Sequence, residues 1–192
     1  MLCLYSIRLS LFIIQERSGI TLEILSYKIA KAIKKANPLE TQSIEIMQYS
    51  LSIIINTLFI FLSSAILSLF FGTLLQTITV FFSLSLLRLC SGGVHFKTSR
   101  ACNLFSIFLC VSIPILSNYL TEIIWICNLT SLVIMILFAP NPDVNSQIPK
   151  RLYPYLKIAS VILVLFSLCN NSPVIGLAFF IQSLTVIPLR RR

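Results

Sequence analysis

The chain has 192 residues, of which 57% are hydrophobic and 11% are charged, and its formal net charge is +9. A soluble globular protein carries roughly 25% charged residues to cover its surface. The composition therefore excludes an ordinary soluble enzyme, a disordered chain and a disulfide-rich secreted domain. It predicts an all-α, polytopic integral membrane helix bundle.

The first 40 residues are predicted to form a segment of their own, ahead of a transmembrane bundle over residues 41–192. Residues 1–16 begin with an apolar run that is too short to span a bilayer and lacks a signal-peptide cleavage site, so we expect an interfacial or dispensable extension. Residues 20–36 then place apolar and lysine side chains at helical spacing. This pattern predicts a basic amphipathic helix that lies on anionic lipid, with a docking site for an amphipathic partner peptide as the alternative.

Long uncharged stretches predict the membrane spans. They cover residues 46–87, 101–121, 123–142 and 158–189. About 20 apolar residues cross a bilayer, so the first and last stretches are each divided into two spans, at Gly72 and near Asn171. The sequence thus predicts about six transmembrane helices, and four spans with two re-entrant segments are the alternative.

The basic residues predict the orientation of the chain. All 15 lysines and arginines lie in four places: before the first span, between the second and third spans, between the fourth and fifth spans, and after the sixth span. Short cytoplasmic loops carry the excess of Lys and Arg, so both termini and both basic loops are expected on the cytoplasmic side of a cell membrane. Because these bases are scattered over four short segments, they predict contact with anionic lipid at the inner leaflet and no nucleic-acid binding.

The loop over residues 88–102, with the sequence RLCSGGVHFKTSRAC, is the clearest candidate for chemistry because it contains the only histidine, His95. Cys102 lies at the predicted start of the third span, near Lys97 and Arg100. A helix N-terminus and cationic neighbours both favour a thiolate, the nucleophilic form of cysteine. His95 is suited to accept a proton and to return it to a leaving amine.

A continuous helix would hold His95 and Cys102 about 10 Å apart along its axis, too far for a hydrogen bond. The pair therefore requires that the chain between them is not one straight helix, and Gly92-Gly93 and Thr98-Ser99 allow a loop or kink in this region. From the residues alone, an incidental interfacial histidine remains the alternative. The cysteine and histidine spacing matches no common metal site, so neither a metal nor another cofactor is predicted.

Two other classes of protein remain open from the residues alone. A small transporter or exporter of a peptide or small solute would depend on polar side chains within the spans, such as Gln76, Asn56 or Gln182. A catalytically inactive scaffold would show no preferential reactivity at Cys102.

The segment Arg88-Leu-Cys-Ser-Gly-Gly-Val-His95, followed by Cys102, resembles the signature of the accessory gene regulator B family. The family's characteristic arginine and glycine match Arg88 and Gly93, and its catalytic histidine and cysteine match His95 and Cys102. A second feature of the family, an Ala-Pro pair that opens a polar basic loop, is similar to Ala139-Pro140 with the later Lys150 and Arg151.

The resemblance implies a bacterial membrane cysteine endopeptidase that matures quorum-sensing peptides. It implies a precursor partner with an amphipathic leader and an acidic tail, a thioester on the enzyme, ring closure to a thiolactone or lactone, and a homodimer. Lys97, Arg100, Lys150 and Arg151 are then expected to attract the acidic tail, with a purely topological role as the alternative. Arg88 is expected to orient the loop or a substrate carboxylate, with lipid-headgroup contact as the alternative.

Overall fold

The computed structural model describes residues 23–38, 40–94, 98–141 and 149–188, and the regular structure of these ranges is helical. The predicted fold class, an all-α polytopic membrane bundle, is confirmed. The helices are α1 over residues 23–36, α2 (Ile44–Phe70), α3 (Leu74–Ser91), α4 (Ser99–Ser117), α5 (Ile124–Phe138), α6 (Tyr153–Asn170) and α7 (Pro173–Val186). Short 3-10 turns, Thr121–Ile123 and Lys150–Leu152, precede α5 and α6.

Five helical segments within the described ranges are long and apolar enough to cross a membrane. They are Ile44–Phe70, Leu74–Ser91, Arg100–Ser117, Thr121–Phe138 and Lys150–Asn170. The sixth predicted span is α7, which has only 14 residues. A helix of that length extends about 21 Å at 1.5 Å per residue, whereas the hydrocarbon core is about 30 Å thick. The bundle thus combines five helices of spanning length with one shorter apolar helix.

The chain folds as two compact units, one formed by Met1–Ser63 with Lys97–Ser106 and the other by Ser64–Phe96 with Ile107–Arg192. The predicted boundary at residue 40 stays a prediction. The predicted extension over residues 1–16 and the side chains of His95 and Lys97 lie outside the described residues.

The first unit contains the predicted amphipathic helix. In α1, Ser26 and Ala30 are fully buried, while Lys28 and Lys31 are exposed. Because these two pairs lie on opposite sides of a helix with 3.6 residues per turn, α1 has one packed face and one exposed basic face. Three residues of the predicted apolar face, Ile24, Leu25 and Ile33, are exposed rather than packed.

An interhelical hydrogen bond connects α2 and the start of α4 in the first unit. Asn103 Nδ2 donates to Asn56 Oδ1 at 3.1 Å, and the Asn103 side chain is buried. Hydrogen bonds of this kind between side chains of neighbouring helices help to hold membrane bundles together.

The core of the second unit surrounds α7, which contacts α3, α5 and α6. Half of the residues of α7 are buried, and the apolar core consists of Leu87, Met135, Ala139, Val164, Phe179 and Val186. A helix that is enclosed by other helices presents little surface to lipid. This enclosure accounts for the stability of an apolar helix that is too short to span.

A tight crossing of α5 and α7 shows which helix ends lie together. A Cβ atom added at Gly176, near the start of α7, would lie 2.9 Å from both terminal side-chain atoms of Asn128 in α5. Ser167 Oγ, near the end of α6, donates to Asn128 Oδ1 at 3.2 Å. The starts of α5 and α7 therefore meet the end of α6, and the opposite ends of these three helices lie at the other end of the unit.

Candidate active site

The candidate site in the second unit begins where α3 ends. Gly92 has φ 71° and Gly93 has φ 137°, backbone conformations that residues with a side chain rarely adopt. The Gly92 N–H donates to Arg88 O at 2.9 Å and closes the last turn of α3. The two glycines therefore turn the chain sharply, two residues before His95.

The segment after α5 pairs with this turn. The Gly93 N–H donates to Asn141 O at 3.0 Å, and the Asn141 N–H donates to Ser91 O at 2.9 Å. Asn141 directly follows Ala139-Pro140, whose peptide bond is cis. The two sequence features on which the family resemblance depends are thus in direct backbone contact.

The last turn of α7 completes the enclosure of the Gly-Gly turn. Gln182 Nε2 donates to Gly92 O at 2.9 Å, and the Val94 N–H donates to Thr185 O at 2.9 Å. Asn141 Nδ2 donates to Val186 O at 3.0 Å. The final carbonyls of a helix have no partner within the helix, so Val94 and Asn141 satisfy two carbonyl groups that α7 leaves open.

The packing at Gly93 leaves no space for a side chain. A Cβ atom at this position would lie 2.7 Å from Thr185 Oγ1 and 3.3 Å from Gln182 Nε2. Gly93 is therefore required both by its backbone conformation and by the close approach of α7.

Arg88 contacts the same turn from its own helix. Its Nη2 atom donates to Val94 O at 3.1 Å, so the guanidinium connects the last turn of α3 to the residue that precedes His95. Of the roles expected for Arg88, orientation of the loop is the one for which the structure contains a direct contact.

Cys102 lies in the first turn of α4, in the first unit, and is half-buried. Thr98 caps this helix, since its Oγ1 accepts the Ala101 N–H at 3.3 Å and its carbonyl accepts the Cys102 N–H at 3.3 Å. The positive end of a helix dipole stabilises negative charge in the first turn. The cysteines of the described ranges are all free, and two of them, Cys102 in α4 and Cys127 in α5, are the fourth residue of a helix. Of these two, Cys102 is the one with a basic residue, Arg100, in the same turn.

The chain between the two candidate catalytic residues is not one helix, because α3 ends at Ser91 and α4 begins at Ser99. This is the break that a contact between His95 and Cys102 requires. The distance between them stays a prediction because His95 lies outside the described residues.

The cationic candidates occupy both units. Arg100 is half-buried in the first turn of α4. Lys150 and Arg151 are exposed in the turn before α6, and the start of α6 lies at the same end of its unit as Gly92. This end of the second unit therefore carries exposed positive charge.

Three residues in the contacts around the turn were not assigned to this site from the sequence: Asn141, Gln182 and Thr185. From the sequence, Gln182 is a candidate only for a polar side chain within a transporter span. The available signals were a glutamine and a threonine at helical spacing in an otherwise apolar helix, and an asparagine immediately after Ala139-Pro140. These signals show that polar groups are present but not which backbone atoms they contact.

Comparison with known protein families finds a match to the family described as Accessory gene regulator B over residues 26–187. The chain is 34% identical to Protein FsrB of Enterococcus faecalis over an alignment of 158 residues, which covers 75% of this chain and 64% of that protein. It is 31% identical to Accessory gene regulator protein B of Staphylococcus epidermidis over 135 residues, 64% of this chain and 69% of that protein. It is 27% identical to the protein of the same name in Staphylococcus saprophyticus over 151 residues, 75% of this chain and 80% of that protein.

The matched region of the chain thus spans just under two thirds of the length of FsrB. No solved structure matches the chain.

Proposed function

The chain belongs to the accessory gene regulator B family, and we propose that it is a membrane-embedded cysteine endopeptidase of quorum-sensing precursors. It cleaves a short precursor peptide near its C-terminus and promotes ring closure of the product. The observation that carries the proposal is the Arg88-to-Cys102 signature. In support, the residues before His95 are held by hydrogen bonds from three directions, and Cys102 lies at a helix N-terminus.

In the proposed first step, His95 takes the proton from the Cys102 thiol, and the thiolate attacks the scissile carbonyl carbon of the precursor. The peptide C–N bond breaks, and the imidazolium returns its proton to the departing amine. The C-terminal tail of the precursor leaves, and its remaining part is bound to Cys102 as a thioester.

In the second step, a cysteine thiol or serine hydroxyl of the same precursor attacks the thioester carbonyl. A new thioester or ester bond closes the ring, and the C–S bond to Cys102 breaks. The thiolate or His95 takes up the proton lost by the attacking group. Because exchange between two thioesters conserves the activated acyl group, a cysteine enzyme suits ring closure as well as cleavage.

We propose that the site faces the cytoplasm, with both termini on the same side. The exposed Lys150 and Arg151 support this orientation, because they lie at the same end of the second unit as the Gly-Gly turn, and Lys and Arg are concentrated in cytoplasmic loops. Their charge is also suited to attract an acidic precursor tail. The exposed lysines of α1 support contact with anionic lipid.

The test uses purified protein in liposomes that contain anionic lipid. The substrate is to be sought among short open reading frames next to this chain's gene, as a peptide with an amphipathic segment, a Cys or Ser, and an acidic end. We expect cleavage by the parent protein and none by Cys102→Ala or His95→Ala. Cys90→Ser is the matched control, since Cys90 is also free and half-buried but lies in the last turn of α3.

Full cleavage by either dyad variant would contradict the assignment of the dyad. A protein that cleaves nothing, and instead moves the intact peptide across the bilayer with Cys102→Ser as active as the parent, would support the transporter.

A further inference from the structure

We infer that Gln182 is a positioning residue, which orients the backbone that leads to His95 through its hydrogen bond to Gly92. This inference rests on the proposed function, because it assigns to Gln182 a part in placing the general base. It adds a residue of the most enclosed helix, 80 positions beyond Cys102, to a site otherwise defined by the loop over residues 88–102.

The burial of Gln182 supports a persistent contact. Its side chain is 3% exposed, and Nε2 donates to Gly92 O at 2.9 Å. A primary amide that is buried among apolar side chains loses its hydrogen bonds to water, so leaving it unpaired costs about 1–3 kcal/mol. The contact with Gly92 avoids this cost, and the amide and the turn therefore stabilise each other's position.

The conformational freedom of the Gly-Gly turn gives this bond its importance. Glycine has access to more backbone conformations than other residues, so two consecutive glycines would leave the following chain poorly defined without external contacts. Gln182 restrains the first glycine, Asn141 O accepts the N–H of the second, and Thr185 O accepts the N–H of Val94. Arg88, the charged side chain bonded to this segment, contacts the carbonyl of Val94.

Restraint of this turn is expected to affect the reaction because general-base catalysis depends on distance. A misplacement of about 1 Å at a reacting group is able to reduce a rate about 100-fold. Loss of one of the several hydrogen bonds to the turn should reduce the rate less than this. One hydrogen bond contributes up to about 1.4 kcal/mol net, and 1.4 kcal/mol in the activation free energy corresponds to a tenfold change in rate.

The experiment uses the full-length protein in liposomes at several pH values between 6 and 10. It measures, by mass spectrometry, the rate at which iodoacetamide alkylates Cys102. Iodoacetamide reacts with the thiolate, so this probe requires no precursor. At pH 7 we expect His95→Ala to slow alkylation of Cys102. We expect Gln182→Met, which keeps the approximate volume of the Gln182 side chain, to slow it about tenfold.

At pH 10 a thiol ionises without a base, so we expect the parent and both variants to react at similar rates. A fold defect alone would not produce this convergence. Ser183→Ala is the control, because Ser183 is buried in the same helix but its hydroxyl donates to Phe180 O within that helix. This variant should follow the parent at every pH.

Asn141→Ala provides a second variant, since it removes the side-chain bond to Val186 O while its backbone contacts remain possible. We expect it to slow alkylation at pH 7 in the same direction. Slower alkylation in His95→Ala together with parental rates in Gln182→Met would overturn the inference and leave the dyad in place. Parental rates in His95→Ala would overturn the proposed dyad and the inference together.

Discussion

The replacement of Gly93 by alanine tests the close contact between the Gly-Gly turn and α7. The new Cβ would lie 2.7 Å from Thr185 Oγ1 and 3.3 Å from Gln182 Nε2, on a residue with φ 137°. The unfavourable backbone conformation costs about 1–3 kcal/mol, and overpacking a well-packed interior costs about 1–3 kcal/mol more. We therefore expect Gly93→Ala to lower the free energy of unfolding by about 2–6 kcal/mol.

Gly72→Ala is the matched control for this prediction. Gly72 also has a positive φ, 65°, but nothing lies within 4 Å of the position of its Cβ. This variant should therefore show only the backbone cost of about 1–2 kcal/mol. The assay is denaturant unfolding in a mild detergent, followed by the fluorescence of Trp125, the only tryptophan, which lies in α5 of the same unit. Equal losses of stability in the two variants would refute the close contact between Gly93 and α7.

Two further predictions concern contacts between helices. Gly176→Ala should lower the free energy of unfolding by about 1–3 kcal/mol, because its Cβ would lie 2.9 Å from Asn128 and from Ile124 Cγ1; an unchanged unfolding midpoint in the same fluorescence assay would contradict this packing. Asn103→Leu and Asn56→Leu, combined in a double-mutant cycle of unfolding, should show a coupling energy of about 0.6 kcal/mol, the average for hydrogen bonds between membrane helices, and no more than about 1.7 kcal/mol. Additive losses would show that the 3.1 Å contact contributes nothing to stability.

The helices could be predicted from the sequence because long uncharged runs are required to cross a bilayer. The prediction placed Pro114 within a span, and α4 contains it. It also ended a span at Ala139-Pro140, and α5 ends at Phe138. The division of the last uncharged run near Asn171 predicts two shorter spans, and α7 has 14 residues. Its enclosure by α3, α5 and α6 was not predicted, since hydropathy does not distinguish contact with lipid from contact with neighbouring helices.

The candidate site was only partly predictable. Local chemistry identified Cys102 at a helix N-terminus, and the need for a break in the helix followed from geometry. The contact between Gln182 and Gly92 joins residues 90 positions apart, and no periodicity in a single sequence relates them. Likewise, the polar character of Asn141 does not reveal that its carbonyl accepts the N–H of Gly93.

The most direct test of the account is to trap the acyl-enzyme. The full-length protein in liposomes would be mixed with the precursor peptide, quenched in acid within one turnover and analysed by mass spectrometry. The proposed mechanism predicts a precursor fragment without its C-terminal tail, attached to Cys102 and released by hydroxylamine, in the parent but not in Cys102→Ala. Cleavage of the precursor at the parental rate by Cys102→Ala, or an acyl group on another residue, would contradict it.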